Sequence, residues 1–406
     1  MNKFKYVLSL CSVLIVSFFV SGSFYGSVHT PSGNPSKEKV YPIKGNTSQL
    51  KYYFDALKDA KNKKVRIGHW GDSIILGDIL SDSFRRLLQK QFGGNGVGFV
   101  SLVPEDSPMR LSTIVTSSGD WIEASLFKRN PDRLPLGINA SVFTTKSEKS
   151  WVSYDVGKYN KSIRNYNSIH LFYANGNSSG EVKFITSNGF TKTVKLESGS
   201  GIRKVSVDFP TPATSVKLEF SSCKNIYFYG VSIENSHGVY VDNFPIKGNN
   251  GIGLQDLSSE VLSDFKKLQD YKLLILNFGV NVLSPEHKEY DWYMTRMEKV
   301  IAHIQNSFPG TSILIISTGD KGVKKGGKFV SEPQIRNLLK AQEELATRTG
   351  VAFWNLFEAM GGENAIVDWV NSRPALAYKD YCHFTPEGGD KVADMLNEAL
   401  MNLMNK

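Results

Sequence analysis

Three short segments of this chain carry side chains that together could break an ester. The first is Gly71-Asp72-Ser73, a glycine two residues ahead of a hydroxyl. Glycine lets the backbone turn sharply, so the Ser73 side chain can project as a nucleophile. The second is Gly279-Val280-Asn281, whose carboxamide N–H₂ can donate toward a developing negative charge. The third is Asp380-Tyr381-Cys382-His383. A neutral His383 imidazole can take the serine proton and return it to a leaving group. Asp380, three residues earlier, can bond the other ring nitrogen and fix the tautomer. Singly, each segment has a plainer reading: Ser73 as a helix cap, Asn281 as a turn residue, Asp380 and His383 as a capped turn. In this order along one chain they reinforce one another and point to nucleophilic hydrolysis.

Regular elements must deliver these segments to one place. Residues 65–68 form a short apolar run leading into Gly71-Asp72-Ser73. Residues 78–92 then carry Ile79, Phe84, Leu87 and Leu88 at helical spacing, with Asp78 as the expected N-cap. Residues 273–278 (LLILNF) are continuously apolar, as a buried parallel strand requires, and end where Gly279 begins. Further strands are expected at 312–317 and 351–357, and helices at 50–60, 286–308, 332–348, 365–371 and 386–405. Alternating strands and helices imply a parallel sheet covered on both faces. Ligand sites of such sheets lie at the carboxyl ends of the strands, where the three segments fall. Between residues 109 and 235 helical periodicity gives way to alternation, as in Val182-Lys183-Phe184 and Val216-Lys217-Leu218-Glu219-Phe220. Short alternating strands imply an antiparallel β-sandwich. The expected organisation is an α/β domain in two parts, 49–108 and 236–406, interrupted by a β-sandwich at 109–235.

Composition agrees with a folded protein. The chain has 406 residues, 41% hydrophobic and 21% charged, which excludes disordered, collagen-like and disulfide-scaffold classes. Lys3 and Lys5, an apolar run at 6–20 and the small residues Ser21, Gly22 and Ser23 read as a secretory signal over 1–23. The alternative is a retained anchor, although the run is shorter than the roughly 20 residues a spanning helix needs. Cleavage would remove two of the charges behind the net +9. Residues 24–48, rich in Ser, Gly, Pro and Lys, read as a linker. Export places the protein in the periplasm or cell envelope. The two cysteines beyond the signal, Cys223 and Cys382, are expected as free, partly buried thiols. His, Asp and Glu do not cluster at zinc-ligand spacing, and no phosphate loop is present, so neither metal nor cofactor is expected. No basic run is interleaved with aromatics, which argues against nucleic acid as a partner. Lys321, Lys324, Lys325 and Lys328 crowd a Gly-rich segment after the strand at 312–317, expected to be a solvated mobile loop, with contact to an anionic glycan as it overhangs the site the alternative. His69 and Trp70 are expected to pack rather than react.

The three segments resemble the conserved blocks of the SGNH (GDSL-like) hydrolases, over about residues 63–108 and 240–403. Lys247-Gly248-Asn249-Asn250-Gly251 resembles the family's glycine block. The resemblance implies a three-layer α/β/α hydrolase fold, Ser73 as nucleophile, His383 as base and Asp380 as its orienter. It also implies an oxyanion hole from the backbone N–H groups of Ser73 and Gly251 and the Asn281 side chain, with Gly248 and Gly253 competing for the place of Gly251. More narrowly, residues 92–100 (FGGNGVGFV), Phe353-Trp354, residues 359–362 and the β insert resemble bacterial peptidoglycan O-acetylesterases. There the insert is similar to a family 35 carbohydrate-binding module. Ile74 and Val282 depart from the family pattern, and both line the expected cleft. The implied function is a secreted serine esterase removing O-acetyl groups from a polysaccharide, peptidoglycan foremost. An envelope O-acetyltransferase using the same triad, or a degenerate hydrolase that only binds glycan, are the alternatives.

Overall fold

A computed structural model describes residues 40–406 apart from 129, 158–159 and 175–178. The signal at 1–23 and the first part of the linker lie outside the described residues. Six strands make the central sheet, in the order Lys44–Gly45, Ala352–Trp354, Ser312–Ile316, Tyr271–Asn277, Lys64–Gly71, Gly238–Pro245. Five run parallel, and Lys44–Gly45 is an antiparallel edge against Ala352 and Phe353. Gly71 lies level with Pro245 and with Asn277, and Asn277 with Ile316, so these strands end along one edge. Whatever follows Gly71, Pro245 and Asn277 therefore emerges side by side.

Side chains of a strand alternate between faces. Val65, Ile67, Leu273, Ile275, Leu314 and Ile316 share one core with Tyr53, Leu57, Leu80, Phe84, Leu88, Leu396 and Leu400. Trp70, Leu274, Leu276, Ile313 and Ile315 share another with Leu262, Phe265, Met294, Ile301, Leu338 and Leu345. Helices Lys51–Lys58, Ile79–Phe92 and Pro386–Met404 thus cover one face, and Ser259–Gln269, Asp291–Ser307 and Ile335–Thr349 the other. The result is three layers.

Apart from the ribbon Gly322–Lys325 with Lys328–Ser331, the remaining strands form two antiparallel sheets. One runs Thr191–Leu196, Gly180–Thr186, Ser215–Ser221, Lys149–Val156, Thr113–Ser117. The other runs Arg203–Ala213, Tyr166–Ala174, Tyr227–Glu234, Ser141–Thr145, Trp121–Ser125, with Gly98–Ser101 also paired to Tyr227–Glu234. Val152, Val182, Leu218 and Phe220 of the first meet Phe143, Leu171, Phe228 and Val231 of the second in a shared core. The second sheet turns its other face, through Phe99, Phe172 and Tyr229, onto Phe265 of helix Ser259–Gln269. Its strand at Gly98–Ser101 lies upstream of residue 109, so the β-rich region recruits chain from before the expected boundary.

Several local expectations change. Residues 286–290 are not helical, and that helix begins at Asp291. The expected strand at 351–357 is only Ala352–Trp354, after which Asn355 caps helix Leu356–Met360 by accepting from Glu358 N–H at 3.0 Å. Asp78 occupies the cap position of helix Ile79–Phe92 but sits at φ 60° and makes no side-chain cap bond. Its carboxylate is instead taken by Arg85 at 3.0 Å. Cys223 and Cys382 are free, and burial pushes their thiols up to about 11 and about 12. Among the described residues no helix is long and apolar enough to cross a membrane.

Candidate active site

Ser73 opens a short 3-10 turn, Ser73–Asp78, interrupted at Leu76 and Gly77 before the long helix starts. Ser73 therefore rides on its own tight turn and not on the first turn of helix Ile79–Phe92. Asp72 caps that turn: its Oδ1 accepts from Ile74 N–H at 3.0 Å. As first residue of the turn, Ser73 has a backbone N–H with no acceptor inside it.

The His383 imidazole comes from the other end of the chain. Thr385 caps helix Pro386–Met404, its hydroxyl accepting from Gly388 N–H at 3.1 Å. That helix crosses Ile79–Phe92 closely because Gly389 lacks a side chain; a Cβ there would lie 2.6 Å from Ile79 Cγ2. Ser83 Oγ donates to Asp390 across the crossing at 2.6 Å. The crossing brings the loop before the helix to the Ser73 turn.

There, His383 Nε2 lies 2.9 Å from Ser73 Oγ, and His383 Nδ1 lies 2.8 Å from Asp380 Oδ2. An ionised carboxylate only accepts, so the proton is assigned to Nδ1, leaving Nε2 to accept from the serine hydroxyl. Asp380 Oδ1 accepts from the backbone N–H of Cys382 and His383 at 3.0 and 3.1 Å. Burial pushes the Asp380 carboxyl up, but the hydrogen bonds from the His383 ring and these two N–H groups outweigh it and hold it below the usual carboxylate range. Asp380 therefore stays ionised where it orients the imidazole. The His383 side chain is 38% exposed, which leaves water a path to the reacting centre.

Asp72 ties the serine turn to the Gly279 turn. Its Oδ2 accepts from Gly279 N–H at 3.2 Å. It is 1% exposed, and burial pushes its carboxyl up to about 6 against the opposing backbone N–H bonds. The glycine block is tied to the same edge, with Ile246 N–H donating to Gly71 O at 2.8 Å.

Asn249, which sequence reasoning passed over, organises the expected oxyanion donors. Its carbonyl accepts one Asn281 Nδ2 hydrogen at 3.0 Å, and its Oδ1 accepts the Gly251 N–H at 2.7 Å. Gly251 and Asn281 are thus brought together around Asn249, but the Gly251 N–H is already engaged. Asn281 retains a second amide hydrogen, and Ser73 its backbone N–H. The signal for Asn249 was its place inside the glycine block; its double role depends on tertiary contact.

His69 stays apart from Ser73, His383 and Asp380. Its Nδ1 lies 2.9 Å from Ser81 Oγ, and burial pushes the ring down to about 4. Trp70 is fully buried and donates Nε1–H to Ile138 O at 2.7 Å. The Lys-rich segment is not an irregular loop. It is a hairpin, Gly322–Lys325 with Lys328–Ser331, whose Phe329 stacks on Tyr381.

No family model matches the chain, and no curated protein matches it. Solved structures do. One, described as a peptidoglycan O-acetylesterase in action, covers 89% of this chain and 99% of its own at 20% identity, with a TM-score of 0.73. A family two carbohydrate esterase from Cellvibrio japonicus covers 72% of this chain and 98% of its own at 10% identity, but its TM-score of 0.30 carries no argument. The chain thus shares, over most of its length, the fold of a solved peptidoglycan O-acetylesterase.

Proposed function

We propose that this protein is a serine esterase that removes O-acetyl groups from a polysaccharide, with peptidoglycan the leading substrate. The observation that carries the reading is the continuous path Ser73 Oγ, His383 Nε2, His383 Nδ1, Asp380 Oδ2, with no step longer than 2.9 Å between residues. In this mechanism Ser73 Oγ attacks the acetyl carbonyl carbon as its proton passes to His383 Nε2. The oxyanion is met by the Ser73 N–H and the free Asn281 amide hydrogen, with Gly251 N–H joining if its bond to Asn249 is shared. The C–O bond to the sugar then breaks, and the sugar oxygen leaves with the proton from His383. Water, deprotonated by the same imidazole, attacks the acetyl-serine; the bond from the acyl carbon to Ser73 Oγ breaks, Oγ takes the proton back from His383, and acetate leaves.

The half-open His383 leaves water a path to the acetyl-serine, as hydrolysis requires. Shared fold with a peptidoglycan O-acetylesterase supports the substrate class. The same reading includes export to the envelope, a β-sandwich insert at 109–235, and glycan contact by that insert. Acetate release from a panel of acetylated polymers, including cell-wall material, tests it against Ser73→Ala. Loss of the nucleophile should lower turnover by a factor on the order of 10³ or more. A Ser73→Ala protein matching the parent would refute the assignment.

A further inference from the structure

The hairpin Gly322–Lys325 and Lys328–Ser331 is fastened to the catalytic loop at several points. Phe329 lies flat on Tyr381, ring centroids 3.6 Å apart and planes within 10°. Gly322 N–H donates to Tyr381 O at 2.7 Å. A Cβ on Gly322 would sit 2.7 Å from Tyr381 Cβ, so only glycine allows this approach. Tyr381 itself has φ 56°, a left-handed backbone that a bulky residue keeps only when its surroundings hold it. At the hairpin base Lys321 Nζ donates to Val280 O at 3.2 Å, one residue before Asn281. Glu332 N–H donates to Lys321 O at 2.8 Å and closes the ribbon. The arm is therefore fixed to both the His383 turn and the Asn281 turn.

Its charges are arranged against its own stability. Lys325 and Lys328 are direct cross-strand partners beside the Gly326-Gly327 tip, and like charges in that position repel. Lys324 pairs with Phe329 and so shares the face that meets Tyr381. All three lysines are exposed, and among the described residues none has a carboxylate in ion-pair contact. Elsewhere in the chain Lys44, Lys58 and Lys63 each pair with a carboxylate. Three unpaired ammonium groups on a rigid arm at the rim of the site ask for an anion from outside.

We propose that this hairpin is an anion-recognising arm, and that Lys324, Lys325 and Lys328 hold carboxylates of an anionic polysaccharide beside Ser73 and His383. The proposal rests on the esterase reading and narrows its substrate to a charged polymer. The lysines are positioning residues; they steer and hold the polymer and take no part in bond breaking.

The test is inhibition of neutral p-nitrophenyl acetate hydrolysis by polygalacturonate, with uncharged dextran as control, and direct anisotropy titration of a fluorescent oligogalacturonate. The parent should be inhibited by polygalacturonate and not by dextran, and added salt at about 1 M should abolish the effect. The variant Lys324→Gln/Lys325→Gln/Lys328→Gln should need on the order of tenfold more polymer for the same inhibition, while Lys324→Arg/Lys325→Arg/Lys328→Arg should behave as the parent. A parent indifferent to polygalacturonate, or a Gln variant inhibited like the parent, overturns the proposal. If the parent fails to cleave the ester but binds the oligogalacturonate through these lysines, the esterase reading falls and the arm stands.

Discussion

Asp72 offers a way to measure how the serine turn is wired into the fold. Its carboxyl is buried beneath the site and accepts from Ile74 N–H and Gly279 N–H. Burial raises it from the ordinary 3.8 to about 6. A carboxyl raised in the folded state holds its proton more tightly there than in the unfolded chain. Its contribution to stability therefore falls as pH rises through the window from 3.8 to about 6. Integrated between about pH 4.5 and about pH 7.5, that group alone removes about 2 kcal/mol. The substitution Asp72→Asn cannot titrate. It also places an N–H₂ group opposite a donor it must face, which costs about 1–3 kcal/mol at every pH. Urea unfolding of parent and variant at the two pH values separates these effects. The variant should be less stable throughout, and its deficit should shrink by about 2 kcal/mol toward the higher pH. A deficit that stays constant, or widens, would refute the assignment of a raised carboxyl at this position and with it the account of the turn.

Two further expectations follow from buried groups. Arg85 pairs with Asp78 and Asp82 and donates to Val241 O, so Arg85→Met should leave two buried carboxylates short of a partner and cost about 3–5 kcal/mol in denaturant unfolding. A loss under about 0.5 kcal/mol would mean the pairs contribute nothing structural. Cys223 and Cys382, raised to about 11 and about 12, should resist iodoacetamide in the native protein and react on unfolding, as peptide mass mapping would show. Rapid native labelling of Cys382 would mean that the thiol beside His383 is more open than its burial implies.

Much of the α/β framework could be read from residue order, because a parallel strand such as Leu273 to Leu276 is buried on both faces and reads as an unbroken apolar run. Ser73 could be read for a related reason, since it lies just beyond such a run, whereas Asp380 and His383 could be read from their spacing ahead of helix Pro386–Met404. What escaped reading depends on contacts between distant residues. Asp78 has the composition of an N-cap, yet Arg85 and Arg110 claim its carboxylate, and only folding brings Arg110 there. Lys44 and Gly45 look like linker because two residues carry no periodicity, but Phe353 and Ala352 offer an open edge. The lysine hairpin reads as a loop because Gly326 and Gly327 break its alternation, and its partner Tyr381 is far along the chain. Asn249 was invisible as an organiser because both of its partners, Gly251 N–H and Asn281 Nδ2, must be in place before it has a role.

The contact between Ser73 and His383 spans 310 positions. A polypeptide still emerging from the ribosome owns the Ser73 hydroxyl long before it owns the His383 imidazole. A copy ending upstream of Asp380 lacks both partners of the Ser73 hydroxyl in this path, however well its earlier part has folded. On the esterase reading, activity therefore arrives only when synthesis is nearly complete.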